Sequence, residues 1–255
     1  MHKVLHDKSI AKGLLHGGTR ISKMKGNENL SGRVYHEIKS LILRNEIMPG
    51  QKLHHQDLSD RLGVSRTPVR EALSRLVQEG YVNLLPNRGF VCKVIGMQEA
   101  EELYELRECL EVFCVEKAIL KISDESLERL RQKIDLYGHD TQRRFTRERL
   151  IYDRDIHLEI AEIAGNKTIK KNLVQVFERI ILKRKTDSLY DLARGVSAHQ
   201  EHLSLVDAMR RRHVSEAVKI IRKHIHDGKR NVLMDLRQRQ EFRKSQVIDQ
   251  MTEIY

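Results

Sequence analysis

Asp153 and His157 stand four residues apart in the segment YDRDIHLEIAEIAGN, which covers residues 152–166. Isoleucines recur through this segment at helical spacing, so it is predicted to form an amphipathic helix. Because four residues make about one helical turn, the carboxylate and the imidazole share one face of that helix. An isolated pair of this kind is more often a surface ion pair or a hydrogen-bonded core histidine, so its meaning depends on the rest of the chain.

Two further histidines lie on apolar helix faces. His202 is followed by apolar residues three, four and seven positions later, and His224 is flanked by isoleucines. If their helices meet that of Asp153 and His157, three imidazoles and one carboxylate face one core. This donor set suits a divalent ion such as Zn²⁺ or Ni²⁺, and it would also accommodate Mn²⁺ or Fe²⁺. The other ten of the thirteen histidines are not predicted as ligands, and His199 is the nearest rival to His202.

Arg107 is the charged member of an apolar helical stripe that includes Leu103, Leu110 and Cys114. An arginine in such a stripe is costly to bury unless it meets an anion. We predict that this anion is the carboxylate of a small acid bound beside the metal. An ion pair with Glu111 and a role between domains are the alternatives.

The segment HHQDLSDRLGVSRTPVREALSRLVQEG, residues 54–80, has the pattern of a helix-turn-helix. A short first helix is predicted to end before Gly63, which suits the left-handed position that often follows a helix. Ser65 can cap the second helix, and Pro68 falls in its first turn, where a missing N–H costs nothing. The residues expected to pack the two helices together are Leu58, Leu62, Val64, Val69, Leu73 and Leu76.

Residues 81–95, YVNLLPNRGFVCKVI, change to a strand-like composition around a Pro-Asn-Arg-Gly turn. Two short strands joined by this basic turn would form the wing of a winged helix-turn-helix. Arg88 is predicted to contact a phosphate or the minor groove, and a solvated turn residue is the alternative. Gly89 belongs to the same turn and to the same predicted DNA-binding surface.

The rest of the chain has a helical pattern with few breakers, since the whole sequence contains 14 glycines and 3 prolines. Helices are predicted over about 97–121, 124–138, 143–163, 167–188, 198–211 and 215–237. The predicted domains are a flexible basic arm at 1–29, a winged helix-turn-helix at 30–95, an all-helical metal- and effector-binding domain at 97–237 and a polar extension at 238–255. The predicted fold class is therefore mostly α, with an all-α helical bundle after the winged module.

The net charge of +11 is concentrated toward the N-terminus. Residues 1–30 hold six basic and two acidic side chains, and residues 31–95 hold ten and six, so each segment carries +4. A polyanion is therefore expected at this end of the chain. The three cysteines form no CxxC pair, which favours a reducing compartment. No apolar run approaches the ~18–20 residues that span a membrane, so a cytoplasmic protein without a membrane partner is predicted.

Taken together, these parts resemble the GntR family of bacterial transcription regulators, in the FadR-type subfamily with an all-helical FCD effector domain. The stretches that carry the resemblance are GVSRTPVREALSRLVQEGYV (63–82), NRGFVCKV (87–94), ELYELRECLE (102–111), DRDIH (153–157), EHLSLVDAM (201–209) and AVKIIRKHI (217–225). They span about residues 31–235, which is most of the chain.

The resemblance implies roles for individual residues. Base or phosphate contacts are expected from Arg66 and Arg70, and phosphate contacts from Ser65 and Thr67, near the N-terminus of a helix that enters the major groove. Some family members carry a basic residue near position 56, where this chain has Gln56, so its DNA contact and the half-site sequence stay open. At the other end, the resemblance implies that Asp153, His157, His202 and His224 bind the metal and that Arg107 lies near the effector pocket.

The expected function is that of a homodimeric regulator, predicted to be a repressor, that binds double-stranded operator DNA with two-fold related half-sites. A small carboxylate or a sugar acid would bind the metal and Arg107 and change operator affinity. Two other functions are open: a regulator for which the metal itself is the signal, and a metal-dependent hydrolase. The helix-turn-helix argues against the hydrolase, because an enzyme has no need of a DNA-reading module.

Overall fold

The computed structural model of the chain describes residues 29–140, 147–181 and 192–252. Within them the chain is mostly helical, as predicted, and it divides between Lys93 and Val94 into two compact units. Apart from Asn29, the segment predicted to be a flexible arm lies outside the described residues. Each unit is described by itself below.

The N-terminal unit contains three helices and one small antiparallel sheet. Its elements are α1 (Leu30–Leu43), β1 (Lys52–Leu53), α2 (His55–Leu62), α3 (Arg66–Gln78), β2 (Val82–Leu85) and β3 (Gly89–Cys92). The strand order is β1-β3-β2, so the predicted two-stranded wing gains a third strand that pairs Lys52 with Val91. A strand of two residues has no alternation of its own, so the sequence pattern could not indicate it.

The helix-turn-helix forms as its sequence signals indicate. The side chain of Asn29 caps α1 by accepting from the backbone N–H of Gly32 at 2.8 Å. Gly63 ends α2 in the left-handed conformation, with a φ of 67°. Of the six residues predicted to pack α2 against α3, five are buried and only Val64 is half-buried. Ser65 holds the cap position of α3, but its hydroxyl makes no capping hydrogen bond.

The C-terminal unit is entirely helical within the described residues. Its helices are α4 (Met97–Lys121), α5 (Asp124–Asp140), α6 (Arg147–Ala164), α7 (Lys167–Ile181), α8 (Leu192–Arg210) and α9 (Val214–Thr252). The sequence pattern ends the last helix near residue 237, whereas α9 continues to Thr252. No glycine or proline interrupts that stretch, and good helix formers such as Arg, Gln and Glu continue it. The predicted end of α7, residues 182–188, lies outside the described residues.

Helix α4 contacts four other helices of this unit, α6, α7, α8 and α9. It approaches α9 closely, since a Cβ added at Gly228 would lie 3.3 Å from the ring of Tyr104. The core between the helices is continuous and includes Ala118, Ile156 and Ile221, each almost fully buried. In the described part of the chain, no helix is long and apolar enough to cross a membrane.

Candidate metal centre

Three helices bring the four predicted metal ligands together. Asp153 and His157 lie on α6, His202 on α8 and His224 on α9, and one ligand atom from each lies within 4.8 Å of all the others. The three histidines are buried, and the carboxylate is partly buried. The α6 pair is therefore not a surface ion pair.

The carboxylate of Asp153 lies between the three imidazoles. Its Oδ1 is 3.4 Å from Nε2 of His202 and 3.7 Å from Nε2 of His224, and its Oδ2 is 3.8 Å from Nε2 of His157. Nε2 of His157 and Nε2 of His224 are 3.2 Å apart. All three imidazoles thus direct the same nitrogen toward one small volume.

Two glutamates contact the outer nitrogens of these rings. Nδ1 of His157 lies 2.5 Å from Oε2 of Glu111, and Nδ1 of His224 lies 2.9 Å from Oε2 of Glu201. A carboxylate in this position favours the tautomer with the proton on Nδ1 and leaves the Nε2 lone pair to point inward. Neither glutamate was predicted as part of the centre. Glu111 was considered only as a partner of Arg107, and nothing in the local pattern connects Glu201 with His224.

Burial controls the protonation of two of the histidines. Burial, together with the nearby His224, holds the pKa of His202 well below its ordinary value. Burial also lowers the pKa of His224, although Glu201 opposes this effect. Both imidazoles are therefore neutral at pH 7, the form in which histidine donates a lone pair to a metal.

Asp153 remains ionised in this environment. Burial would raise its pKa, but the hydrogen bond and the electrostatic attraction from His157 hold that pKa well below its ordinary value. Burial would lower the pKa of His157, and the adjacent Glu111 carboxylate outweighs it and raises that pKa. A metal bound by His157 must therefore displace a proton, so metal affinity falls as the pH falls.

The residues present fit a divalent metal ion. Both ring nitrogens of His202 are buried and have no hydrogen-bond partner among the described residues. Leaving a buried polar atom unsatisfied costs about 1–3 kcal/mol, so an ion that takes up one of these lone pairs would remove a real penalty. Three imidazole nitrogens and the Asp153 carboxylate would hold the ion. When bound, it would supply a Lewis-acidic attachment point for an anion.

Arg107 forms the ion pair with Glu111 that was considered as an alternative, and it also lies beside two of the predicted metal ligands. Its Nε donates to Oε1 of Glu111 at 2.5 Å, and this pairing lowers the pKa of Glu111 to about 2 although burial would raise it. Its Nη2 lies 2.9 Å from Nε2 of His157 and 3.8 Å from Oδ2 of Asp153. The guanidinium also lies over the ring of Phe177, 4.5 Å from the centroid. Arg107 is thus part of the centre and of an ion pair at once.

A cavity of about 60 Å³ adjoins the centre. A cavity needs roughly 10–15 Å³ to hold a water, so this one has room for a few waters or a small polar group. Its polar and aromatic lining includes Tyr104, Arg107, Tyr137, Arg149, Asp153, Phe177, Arg194 and His224.

Two of the arginines in this lining were not predicted. Arg149 is almost fully buried and stands four residues before Asp153, so the helical spacing that revealed His157 could have revealed it. Arg194 donates to Oε2 of Glu201 at 2.8 Å and to the backbone oxygen of His224 at 3.1 Å. Its contacts join α8 to α9, and no local pattern predicts them.

The two rejected histidines near the centre have other surroundings. His199 stacks on Tyr137, with ring centroids 6.3 Å apart, and packs so closely on Gly138 that a Cβ there would meet its ring. His226 is exposed and contacts Glu108 at 2.8 Å. The metal-ligand group within the described residues includes neither of them.

The residues predicted to contact DNA all lie at the surface of the N-terminal unit. Ser65, Arg66, Thr67 and Arg70 are exposed in the first turns of α3, and Gln56 is half-buried on α2. The Nε of Arg66 donates to Oε1 of Gln56, so these two predicted residues contact each other.

The wing residues Arg88 and Gly89 are exposed where β2 meets β3. Gly89 has a φ of 72°, and Asn87 before it has a φ of 60°, so the turn uses the left-handed region twice. This conformation explains the glycine, since a side chain there would strain the backbone.

Replacement of His202 by alanine removes one of four predicted ligands without touching the other three. We expect His202→Ala to lower metal affinity by at least about 10–100-fold. Loss of a residue that only hydrogen-bonds to a metal ligand already costs about this much, and loss of a ligand itself should cost more. His199→Ala, one turn upstream on the same helix, should keep its metal. Elemental analysis of the purified proteins after dialysis against a weak chelator measures this. Full metal content in His202→Ala would contradict the assignment.

Comparisons with known proteins agree with this architecture. Residues 30–92 match the model of the family described as bacterial regulatory proteins, gntR family, and residues 102–227 match the FCD domain. The Nta operon transcriptional regulator of Aminobacter aminovorans is 30% identical over 177 residues, which cover 69% of this chain and 82% of that protein. The transcriptional repressor NanR of Cronobacter sakazakii is 26% identical over 221 residues, with 78% and 84% covered.

The solved structure of E. coli McbR/YncC has a TM-score of 0.69 to this chain at 20% identity, and covers 83% of this chain and 99% of its own. At that identity the likeness shows a shared fold. The relatives and both matched families are regulators of transcription and not enzymes. The chain therefore belongs to the GntR family of DNA-binding transcriptional regulators, with a C-terminal FCD domain.

Proposed function

We propose that this regulator is a homodimeric repressor whose operator binding responds to a small carboxylate bound at a metal in the FCD domain. The observation that carries the proposal is the buried group of three histidines and Asp153 beside a cavity lined by three arginines. The names of NanR and of E. coli GlaR describe them as repressors, which supports the sign of regulation.

The donor set supports a borderline divalent ion. Three neutral imidazoles and one carboxylate suit Zn²⁺ or Ni²⁺ best, and Mn²⁺ or Fe²⁺ would also be accommodated. Four protein ligands leave one or two positions of a larger coordination sphere for a carboxylate of the effector or for water.

Competition for one lone pair supports a role for Arg107 in effector binding. When His157 is neutral, its Nε2 lone pair can serve either Nη2 of Arg107, 2.9 Å away, or a metal ion, but not both. When the metal is bound, that buried N–H of Arg107 needs another acceptor. A carboxylate or sugar-acid effector in the adjoining cavity would provide it and would be attracted by Arg149 and Arg194.

Effector binding should depend on the metal. In a thermal-shift panel of small carboxylic and sugar acids, we expect one class to raise the melting temperature of metal-loaded protein and to leave chelated protein unchanged. Linkage gives about 2.7 kcal/mol of stabilisation when the acid is at a hundred times its dissociation constant. Arg107→Lys keeps the charge beside Glu111 but loses the planar fork, so it should bind the same acid more weakly.

The outcomes separate the two regulatory hypotheses. An acid that stabilises the protein only with metal, and that also weakens operator binding, supports the carboxylate-responsive repressor. The two effects must be reciprocal, because coupling between sites is symmetric in free energy. If no acid raises the melting temperature and removal of the metal by a chelator abolishes operator binding, the results would instead favour the regulator for which the metal is the signal.

At the DNA end, the exposed residues at the start of α3 support major-groove reading. We propose base contacts by Arg66 and Arg70, phosphate contacts by Ser65 and Thr67, and a backbone or minor-groove contact by Arg88 with Gly89 at the wing. The hydroxyl of Ser65 makes no capping hydrogen bond to α3, so it remains available to a phosphate.

Removal of Arg66 should reduce specific DNA binding and leave the fold intact, because this side chain is exposed. We expect Arg66→Ala to cost about 1–3 kcal/mol in operator affinity. Arg131→Ala, which removes the same charge from an exposed position on α5, is the matched control and should bind normally. A titration of operator DNA followed by fluorescence anisotropy measures both variants. If Arg66→Ala binds the operator as tightly as the unchanged protein does, Arg66 is not part of the DNA interface.

An exposed apolar stripe on α4 supports the homodimer. Leu106, Phe113 and Leu120 recur every seven residues on the face of α4 that points away from the core, and they are 45%, 37% and 67% exposed. A helix that is apolar on both faces is expected to be covered on both. A second copy of this chain would cover the stripe and would match the two-fold symmetry of paired half-sites.

A charge in this stripe should weaken self-association. We expect Phe113→Glu to shift the protein from dimer to monomer in sedimentation analysis, because a buried unpaired carboxylate opposes the contact. Leu136→Glu places the same charge at an exposed apolar residue of α5 and is the control. A stable Phe113→Glu dimer would exclude this face as the interface.

A further inference from the structure

We infer that Gln56 is a positioning residue that acts through Arg66, and that it does not itself read a base. The inference rests on the proposed base contact of Arg66. It concerns a chain of three side chains, Asp60, Gln56 and Arg66, which we call the α2–α3 relay.

The relay is continuous and crosses from one helix to the next. Nε2 of Gln56 donates to Oδ1 of Asp60 at 2.8 Å, one turn further along α2. Nε of Arg66, the first residue of α3, donates to Oε1 of Gln56. Gln56 is half-buried, whereas Asp60 and Arg66 are exposed.

Chemistry fixes the direction of the relay. An ionised aspartate only accepts and an arginine only donates, so the amide of Gln56 must turn its NH₂ to Asp60 and its oxygen to Arg66. A lysine or arginine at position 56 has no acceptor and could not hold Arg66 in this way. Glutamine at position 56, where some family members carry a basic residue, can therefore hold Arg66 in place. Its amide oxygen and its amide nitrogen both already form hydrogen bonds within the protein.

The relay also determines which N–H groups of the Arg66 guanidinium remain available to DNA. Its Nε donates to Gln56, and its two Nη groups make no hydrogen bond to the described residues. A guanine presents two acceptors, O6 and N7, in the major groove, and two parallel N–H groups can bind them together. Arg66 would offer the outer Nη1 and Nη2 pair, and fixing the side chain beforehand reduces the entropy lost when it binds.

The relay contributes little to stability. Its members are exposed or half-buried, and hydrogen bonds between exposed charged and polar side chains add little to folding in water. Loss of the relay should instead change the base preference of the protein. If Gln56 only stabilised the fold, that preference would stay the same.

The experiment uses the full-length chain and a library of random duplex DNA, from which the bound sequences are recovered and sequenced. Arg66→Ala first identifies the position read by Arg66, as the one whose guanine preference falls by about tenfold or more. Gln56→Ala should reduce the preference at that same position by about three- to tenfold and leave the other positions unchanged. Gln78→Ala, an exposed glutamine at the end of α3, is the control and should keep every preference.

A reversed relay provides the rescue. In Gln56→Glu combined with Asp60→Asn, the new amide donates to the new carboxylate, which still accepts from Arg66, so the preference should return. Gln56→Glu with native Asp60 places two carboxylates together, so it should recover less of the preference than the double variant.

Three results would overturn the inference. Gln56→Ala could alter a position other than the one read by Arg66, which would make Gln56 a direct reader, or it could alter none. The double variant could also fail to recover the preference. If Arg66→Ala instead weakens binding to all sequences equally, the proposed base contact of Arg66 is wrong, and the inference about Gln56 falls with it. If the unchanged protein enriches no sequence from the library, the result would count against sequence-specific DNA binding itself.

Discussion

The arrangement of the FCD domain depends on the balance of buried charge around His157. Arg107 and Glu111 are both almost fully buried on α4, and they lie against an imidazole from α6. A charge removed from water is tolerated only when a partner compensates it. Each of these groups has one: Glu111 contacts both Arg107 and His157, and Asp153 lies beside the same two side chains. For this reason α4 packs against the part of α6 that carries Asp153 and His157.

The candidate metal centre lies where several helices of the FCD domain meet. Ligands from α6, α8 and α9 meet within one small volume, and α4 supplies the groups behind them. In the proposed mechanism, a bound ion would take the Nε2 lone pair of His157 that faces Arg107, so the guanidinium would need another anion from the adjoining cavity. Under that proposal, a bound effector would favour one packing of these helices over another, and such a difference is what coupling to DNA binding requires.

Local periodicity accounts for what the sequence could predict. Asp153 and His157 share a helix face, and the apolar neighbours of His202 and His224 showed that both point inward, so the four were expected together. The helix-turn-helix was equally predictable, because Gly63 and its neighbours are local signals. Glu201 and Arg194 were missed because their importance lies in contacts from α8 to a histidine on α9, and β1 was missed because its pairing is equally non-local.

The two ends of the molecule respond differently to substitution for the same physical reason. At the candidate metal centre most of the polar groups are buried, so removal of one partner leaves another unsatisfied and lowers stability. In the α2–α3 relay the groups are exposed or half-buried, so we expect loss of Gln56 to leave Arg66 solvated and the fold unchanged. If the relay acts as proposed, sequence differences at position 56 would alter DNA preference with little cost in folding. Differences at His157 or Glu111 require compensation elsewhere in the centre, so this part of the chain is the more constrained.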